Sequence, residues 1–412
     1  MRLGLFDARV PRYTSYPTAP QFGGSVGPAE FTQWIEAVPA GSEISLYLHV
    51  PFCRRLCWFC ACRTQGTTSD DPVRAYQKVL KAEIALMKAH LAPGVKLSRL
   101  HWGGGTPTML PADLMGDLAE TIFEAVPMGE GAEFSVEIDP CEIDEARLDA
   151  LVAAGMNRAS IGVQDFDPLI QRTIGREQPY EVTRNVAEMI RARGVQSLNA
   201  DILYGLPHQT DARIADSVEK LLALSPDRVA LYGYAHVPWM SRRQQMIPSD
   251  AMPTPQERLT LFETARQLFL ADGYDEIGID HFARPTDGMA KAAKAGTLRR
   301  NFQGYTDDTS PVLIGLGASS ISRFAAACAL AQCSGWHSQP PPHWLAQPAA
   351  PLAAGVGCCP HSTLGSLCSW QSSSHRTAWL ARCSTGCGCR WGAGSRRGGR
   401  RTPAGWRGGW GG

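Results

Sequence analysis

After residue 324 the chain contains no Asp, no Glu and no Lys. A segment without acids or lysines cannot make the mixed-charge surface of an ordinary soluble domain, so the two parts of the chain have to be read separately. Nowhere is there an apolar run of about 18 residues, which excludes a membrane-spanning helix in the reading. The N-terminus, MRLGLFDARVPRYTSYP, lacks the charged-then-apolar pattern of a secretory signal. These absences predict a cytoplasmic protein without a membrane partner. Thiols stay reduced in that compartment, so clustered cysteines there more often bind metal or do chemistry than form disulfides.

Residues 1–324 hold 32 of the 40 Lys and Arg against all 39 acids, a formal charge of −7. That balance gives no sign of a nucleic-acid partner. Residues 325–412 hold eight of the 13 cysteines and seven of the 11 tryptophans among Gly, Ala, Ser, Pro and Arg. No periodicity, cap or repeat is visible in this tail, and it is expected to be an aberrant low-complexity, disordered segment.

From residue 44 onward short β-type runs alternate with helical patterns, the layout of parallel βα units. Strands are predicted at 44–50, 97–103, 133–138, 158–163, 197–203 and 228–234. The helix after the first strand carries Val73, Tyr76, Leu80, Ile84, Met87 and Leu91 at spacings of three and four, an apolar face to cover a sheet. Leu114, Leu118, Ile122 and Val126 repeat the pattern in the next one. Six such units predict an α/β fold, a partial (β/α)6 barrel. A helix over 255–272 and two further extended segments, 276–285 and 312–321, are predicted around it.

In a parallel barrel the loops leaving the C-terminal strand ends converge on one face, where active sites are built. Six chemically loaded positions fall there: the cysteine cluster after strand one, GGGTPT (103–108) after strand two, Glu137 and Asp139 ending strand three, Gln164 and Asp165 ending strand four, Asp201 in strand five, and Ala235-His236 after strand six. The segment HVPFCRRLCWFCAC (49–62) spaces its cysteines C-x3-C-x2-C-x-C. Cys53, Cys57 and Cys60 can ligate three irons of a 4Fe-4S cluster and leave the fourth open. An open iron can chelate S-adenosylmethionine, whose reductive cleavage releases a 5'-deoxyadenosyl radical. A structural zinc cage is the competing reading, but zinc motifs usually pair two C-x2-C knuckles across a longer gap. Cys62 reads as a spare thiol beside the cluster, because one intervening residue leaves little room for it and Cys60 to reach different irons. The glycines 103–105 remove side chains where backbone must approach a ligand.

Seven segments, PRYTSYPTA (11–19), YLHVPFCRRLCWFCAC (47–62), LHWGGGTPT (100–108), GVQDF (162–166), YGLPHQT (204–210), DHFARP (280–285) and RNFQGYT (300–306), closely resemble oxygen-independent coproporphyrinogen III oxidase. The resemblance implies an oxidoreductase of haem biosynthesis: anaerobic oxidative decarboxylation of two propionates of coproporphyrinogen III to vinyl groups, giving protoporphyrinogen IX. It further implies one 4Fe-4S cluster and two S-adenosylmethionine molecules. The first would be contacted by Tyr47, Gly104, Glu137 and Ile321, the second by Phe59, Gly105, Thr106, Gln164, Arg176, Asp201 and Ala235. An electron donor such as flavodoxin or ferredoxin, a monomeric state and a substrate-covering N-terminal segment, 1–43, complete the picture. The barrel and its extension would occupy 44–324. Arg12, Arg284, Arg299 and Arg300, in or beside the family-like segments, are candidate cations for the substrate's four carboxylates, but surface solvation is the favoured reading for any one of them. The alternative is a haem-binding chaperone on the same barrel. Its representatives usually lack the counterpart of Cys62 and the PRYTSYP opening, both of which this chain has.

Past residue 324 the resemblance stops, where the family continues into a mainly helical C-terminal domain that is expected to be missing here. The composition of 325–412 is what a GC-rich gene gives when read in a wrong frame. Resequencing the junction near codon 324 is expected to reveal a frame that encodes an acid-containing helical domain; a confirmed frame with no such alternative would refute the frameshift.

Overall fold

The computed structural model describes residues 26–324 and the backbone of 327–330. The motif at 11–19, Arg12 and nearly all of the tail lie outside the described residues, which all fall within one compact unit, Met1–Leu352.

Its centre is a six-strand parallel run: β1 (Glu43–Val50), β2 (Lys96–Gly104), β3 (Met128–Ile138), β4 (Arg158–Gln164), β5 (Ser197–Tyr204) and β6 (Arg228–Gly233) pair in sequence order. Each neighbour is parallel, and the register sets Tyr47 of β1 beside His101 of β2, with Ser135 of β3 next. All six match the predicted strands in position. β3 begins earlier, at Met128 rather than residue 133, because its first residues already pair with β2 across a register shift.

The run stays open. Beyond β6 lie β7 (Asp275–Ile277) and β8 (His281–Ala283), with β8 antiparallel to β6. Beyond β1 lie β9 (Leu313–Leu316), parallel to it, then β10 (Ile321–Phe324) and β11 (Ala327–Leu330), both antiparallel. The two expected extra segments therefore cap opposite edges of an eleven-stranded sheet. The sheet also takes up four residues past 324, where the sequence had offered no element.

Helices cover the outer face. In α2 (Asp71–His90), Val73, Tyr76, Leu80, Ile84 and Met87 are all buried, as their spacing predicts, and Leu91 packs against the same core just beyond its end. In α3 (Ala112–Ala125), Leu118 and Ile122 are fully buried. The helix α8 runs Pro255–Ala271 and starts with a reciprocal cap: Glu257 N–H donates to Thr254 Oγ1 and Thr254 N–H to Glu257 Oε2. Such a cap contributes about 1 kcal/mol. Among the described residues no helix is long and apolar enough to cross a membrane.

Strand alternation sends one set of side chains outward and the other into the barrel. The outward set is apolar: Leu46 and Leu48, Leu100 and Trp102, Phe134 and Val136, Ile161 and Val163 are buried under the helices. The inward set is polar. At the N-terminal end of the barrel Arg99, Arg158 and Arg228 meet Glu133, Asp287, Asp307 and Asp308, with Arg228 bonding Asp287 at 2.7 Å and Arg99 bonding Glu133 at 3.1 Å and Asp307 at 2.9 Å. Burial opposes charge on Glu133, yet Arg158, Arg99 and Arg228 hold its carboxyl below the ordinary range. Breaking a buried ion pair by removing one partner leaves the other charge uncompensated. Asp287 also accepts a bond from Met289 N–H at the start of α9 (Gly288–Lys294). Asp287→Ala is therefore expected to cost about 3–5 kcal/mol of stability. Removing the exposed Asp216 partner of Lys220 should cost less than about 1 kcal/mol. Anaerobic urea denaturation compares the two; similar losses would show that the network does not stabilise the N-terminal end of the barrel.

Candidate active site at the C-terminal rim

The cysteine loop leaves β1 and returns immediately: Phe52–Cys53 pairs in parallel with Gln65–Gly66, so residues 54–64 form a closed excursion above the sheet. Its inner side is tied to the barrel. Trp58 N–H donates to Ile174 O at 2.9 Å, and Gln65 N–H to Pro51 O at 2.7 Å. Trp58 and Phe59 pack on a small apolar cluster formed by Ile170, Ile174, Leu203, Leu206, Tyr234 and Ile247.

Each of the three predicted ligands receives a hydrogen-bond donor at its sulfur. Thr106 Oγ1 lies 3.5 Å from Cys53 Sγ, Arg176 Nη1 lies 3.5 Å from Cys57 Sγ, and Cys62 N–H lies 3.4 Å from Cys60 Sγ. Donors aimed at sulfur stabilise thiolate charge and tune a bound cluster. Burial pushes the Cys53 thiol up to about 11, whereas hydrogen bonds from Cys62 bring Cys60 down to about 6. Among the described residues no three His, Cys, Asp or Glu side chains are placed to hold a single metal ion. A cluster asks for a wider arrangement, because each thiolate binds its own iron.

The glycines of β2 explain how the loop can approach so closely. A Cβ on Gly105 would stand 2.5 Å from Phe52 O and 3.0 Å from Cys53 Sγ, and one on Gly104 would stand 2.9 Å from Val50 O. Gly104 also has φ of +121°, which only glycine adopts readily. Its N–H donates to Glu137 Oε2 at 3.1 Å, and Glu137 Oε1 is 3.2 Å from His101 Nε2. Tyr47 stacks on His101 with ring centroids 5.6 Å apart, and its hydroxyl is 3.0 Å from His49 Nδ1. Buried His49 Nε2 has no hydrogen-bond partner among the described residues. Ile321 reaches the same corner: Gly315, the register partner of Tyr47, comes so close to Ile321 that a Cβ there would stand 2.7 Å from its carbonyl oxygen. Tyr47, Gly104, Glu137 and Ile321 therefore gather at one side of the rim.

On the other side Arg176 is buried, and its Nη1 bonds Asp139 at 3.2 Å while Nη2 donates to Gly162 O at 2.9 Å. Burial opposes the guanidinium charge, but Asp139 and Cys57 raise its pKa above the ordinary value. Its buried Nε remains a donor without a partner among the described residues. Gln164 stands at φ of +69°, an uncommon conformation for a non-glycine residue and one often found at functional sites. Its neighbour Asp165 is fully buried, accepting from Gln209 Nε2 at 2.8 Å and Ser217 Oγ at 2.9 Å; burial pushes its carboxyl up to about 6. Burial likewise raises Asp201 to about 6, opposed by a 2.9 Å bond from Asn199.

Sequence reasoning missed Gln244. Its Nε2 donates to Phe59 O at 3.0 Å and to Ala235 O at 3.2 Å, and its Oε1 accepts from Val237 N–H at 2.6 Å. It thus fastens the cysteine loop to the loop after β6. Arg243 adds 3.1 Å bonds to Cys62 O and Thr64 Oγ1. Neither residue lies in a recognisable motif. His101 and Asn199 were legible in principle, as polar residues at inward positions of otherwise apolar strands. Of the cationic candidates, Arg284 sits at the opposite end of the barrel, bonded to Asp272 at 3.0 Å with its N–H on Asp227 O. Arg299 bonds Thr309 O at 2.7 Å and Arg300 lies over the Tyr305 ring at 4.7 Å.

A parallel strand run with a three-cysteine loop after its first strand and a glycine rim after its second defines a radical S-adenosylmethionine protein, and residues 47–221 match the Radical SAM superfamily. Oxygen-independent coproporphyrinogen III oxidase of Paracoccus denitrificans is 74% identical over 323 residues, 78% of this chain and 72% of that protein. The namesake from Escherichia coli is 41% identical over 312 residues, 76% and 68% of the two chains. The solved structure of coproporphyrinogen III oxidase from E. coli, described as a radical SAM enzyme, superposes with a TM-score of 0.75 at 40% identity, covering 78% of this chain and 73% of that one. The chain belongs to the oxygen-independent coproporphyrinogen III oxidase family.

Membership implies an iron–sulfur cluster and S-adenosylmethionine, and the three sulfurs with their donors fit such a group. After anaerobic reconstitution the chain is expected to hold about four iron and four sulfide with broad absorbance near 400 nm. Cys57→Ala should lose most of the iron, and Cys62→Ala should keep it. Stoichiometric zinc in a colourless protein would overturn the assignment.

Proposed function

We propose that this chain is an oxygen-independent coproporphyrinogen III dehydrogenase, decarboxylating two propionates of coproporphyrinogen III to vinyl groups to give protoporphyrinogen IX. The observation that carries the reading is the three-cysteine rim, with a donor on each sulfur, in a chain 74% identical to an oxidase of that name.

Cys53, Cys57 and Cys60 would hold the cluster. When bound, the cluster and S-adenosylmethionine would supply a one-electron cleavage that yields a radical able to remove a propionate β-hydrogen; loss of CO2 would then give the vinyl group, with the remaining electron passing to an external one-electron acceptor. The residues of the chain do the rest: they bind, aim and keep out water. Two S-adenosylmethionine molecules are proposed, one for each propionate. The first would be held by Tyr47, Gly104, Glu137 and Ile321. What supports this is that the four converge at one corner, where Glu137 already accepts the Gly104 N–H and retains acceptor capacity for an amino group.

The second would be held by Phe59, Gly105, Thr106, Gln164, Arg176, Asp201 and Ala235. The unpartnered Nε of Arg176 supports it as a donor for a carboxylate. So does Gln244, which binds Phe59 and Ala235 to each other by their carbonyls and would keep two walls of one site at a fixed separation. Thr106 and Arg176 would then serve twice, at the ligand sulfurs and at the cofactor. A cytoplasmic location and a small redox protein, flavodoxin or ferredoxin, as electron donor complete the proposal.

A radical chamber must exclude water, and an uncovered rim would not. The anaerobic assay is therefore run on this chain and on a version extended with the helical C-terminal domain of a relative, each with coproporphyrinogen III, S-adenosylmethionine and a reductant. The extended version is expected to form protoporphyrinogen IX with two 5'-deoxyadenosine released per product. The chain as it stands should cleave the cofactor with little vinyl product. Stable haem binding without vinyl product in either version would favour the chaperone and refute the dehydrogenase.

A further inference from the structure

The charge distribution around the cysteine loop departs from that of the rest of the chain. Residues 44–69, 168–176 and 229–249 contain no Asp or Glu and carry seven arginines, 54, 55, 63, 172, 176, 242 and 243, within a region of formal charge −7. The fold brings these segments together. Arg243 binds Cys62 O, next to Arg63, and Trp58 binds Ile174 O, two residues past Arg172. Arg55 reaches across to Glu177 O at 2.9 Å. Of the seven, only Arg176 is buried, beneath the loop; Arg63, Arg172 and Arg242 are exposed. Large apolar side chains stand open on the same flanks: Leu56 and Leu169 on one, Trp239, Met240 and Met246 on the other, with Trp239 69% exposed.

Exposed Met and Trp on segments that carry arginines and themselves lack carboxylates, with the flanking Asp70 taken up by Arg54, is the composition of a protein-binding surface rather than of a solvated one. We propose that the solvent face of the cysteine loop is the docking surface for a small acidic one-electron carrier protein. The inference rests on the proposed reaction, in which each cofactor cleavage consumes one electron. The carrier gives up that electron and is oxidised by one, and no atom is transferred. A positive surface over the cluster loop raises the encounter rate with an acidic partner and orients it. The substrate's carboxylates are the other anions these arginines could meet. The apolar side chains exposed on the same flanks, however, need a partner broader than one porphyrinogen.

The test is equilibrium binding of purified flavodoxin to the full chain, followed by fluorescence anisotropy, which needs no turnover. Binding by the unaltered chain is expected to weaken steeply between about 50 and 300 mM salt. The double variant Arg63→Glu/Arg242→Glu should weaken it about tenfold or more at low salt and flatten the salt dependence. The neutral pair Arg63→Gln/Arg242→Gln should fall between, and Arg184→Glu, on a helix elsewhere, should change nothing. Dithionite-driven cofactor cleavage should proceed alike in all of them. Flavodoxin binding that is absent, or indifferent to both double variants, overturns the proposal. So does a loss of coproporphyrinogen III binding in those variants, which would assign the arginines to substrate. Failure of the iron–sulfur reading itself would appear separately, in the iron and sulfide content.

Discussion

The guanidinium of Arg176 is the point on which the rim depends. The sulfurs of Cys53, Cys57 and Cys60 and the carboxylate of Asp139 share one half-dry corner, and like charges there repel strongly at low dielectric. Arg176 meets Cys57 Sγ, Asp139 Oδ2 and Gly162 O at once, so a single buried cation joins the cysteine loop to the ends of β3 and β4. Lysine could supply the charge but not this planar fork. Because the group is buried, its partners are fixed in direction as well as in number, and a ligand entering the corner finds donors already aimed.

The same physics closes the other end of the barrel. A barrel interior filled with branched apolar side chains is the usual solution; here the strands carry polar residues inward, and something must satisfy them. Arg99, Arg158 and Arg228 against Glu133, Asp287, Asp307 and Asp308 do so at the bottom, and His101 with Ser135 and Asn199 with Ser160 do so midway. The cost is desolvation of many charges, and the gain is an interior that stays polar from the ion network up to the site. Such an interior can hold a polar cofactor without a seam between a greasy core and a wet rim.

The sequence exposes those features that follow from a period. Strand order, the apolar stripes of α2 and α3 and the placing of the six loaded loops on one rim all follow from alternation at two and at 3.6 residues, and all six parallel strands stand where the pattern puts them. The cysteine spacing was legible because three ligands must come from one short loop. What stayed hidden depends on contacts far apart in the chain. Gln244 carries no local signal, since its role exists only once residues 59 and 235 are brought within reach of it. Arg284, one of the candidate cations in a family-like segment, is delivered by the antiparallel direction of β8 to the end of the barrel away from the site. Direction in a sheet is set by pairing, which the residues of one strand do not encode.

Local rules are broken mainly where the loops meet. Gln164 takes a positive φ, Gly104 and Gly105 surrender side chains, and the cysteine loop keeps its polar backbone above the sheet by borrowing partners from Ile174, Arg243 and Gln244. Each departure costs stability, and the apolar packing under α2 and α3 together with the ion network below must offset it. The division of labour explains why the rim can be demanding without the barrel being fragile: the helix-facing side of the strands is buried along most of its length, and the chemistry is left to half-buried inward positions and strand ends. It also bears on Cys62, which by its spacing is a neighbour of the ligands. Both its thiol and its backbone N–H face Cys60 Sγ, and the turn that puts them there is held by Arg243 on its carbonyl. A residue marked by its side chain in the sequence therefore contributes to the site through its peptide group as well.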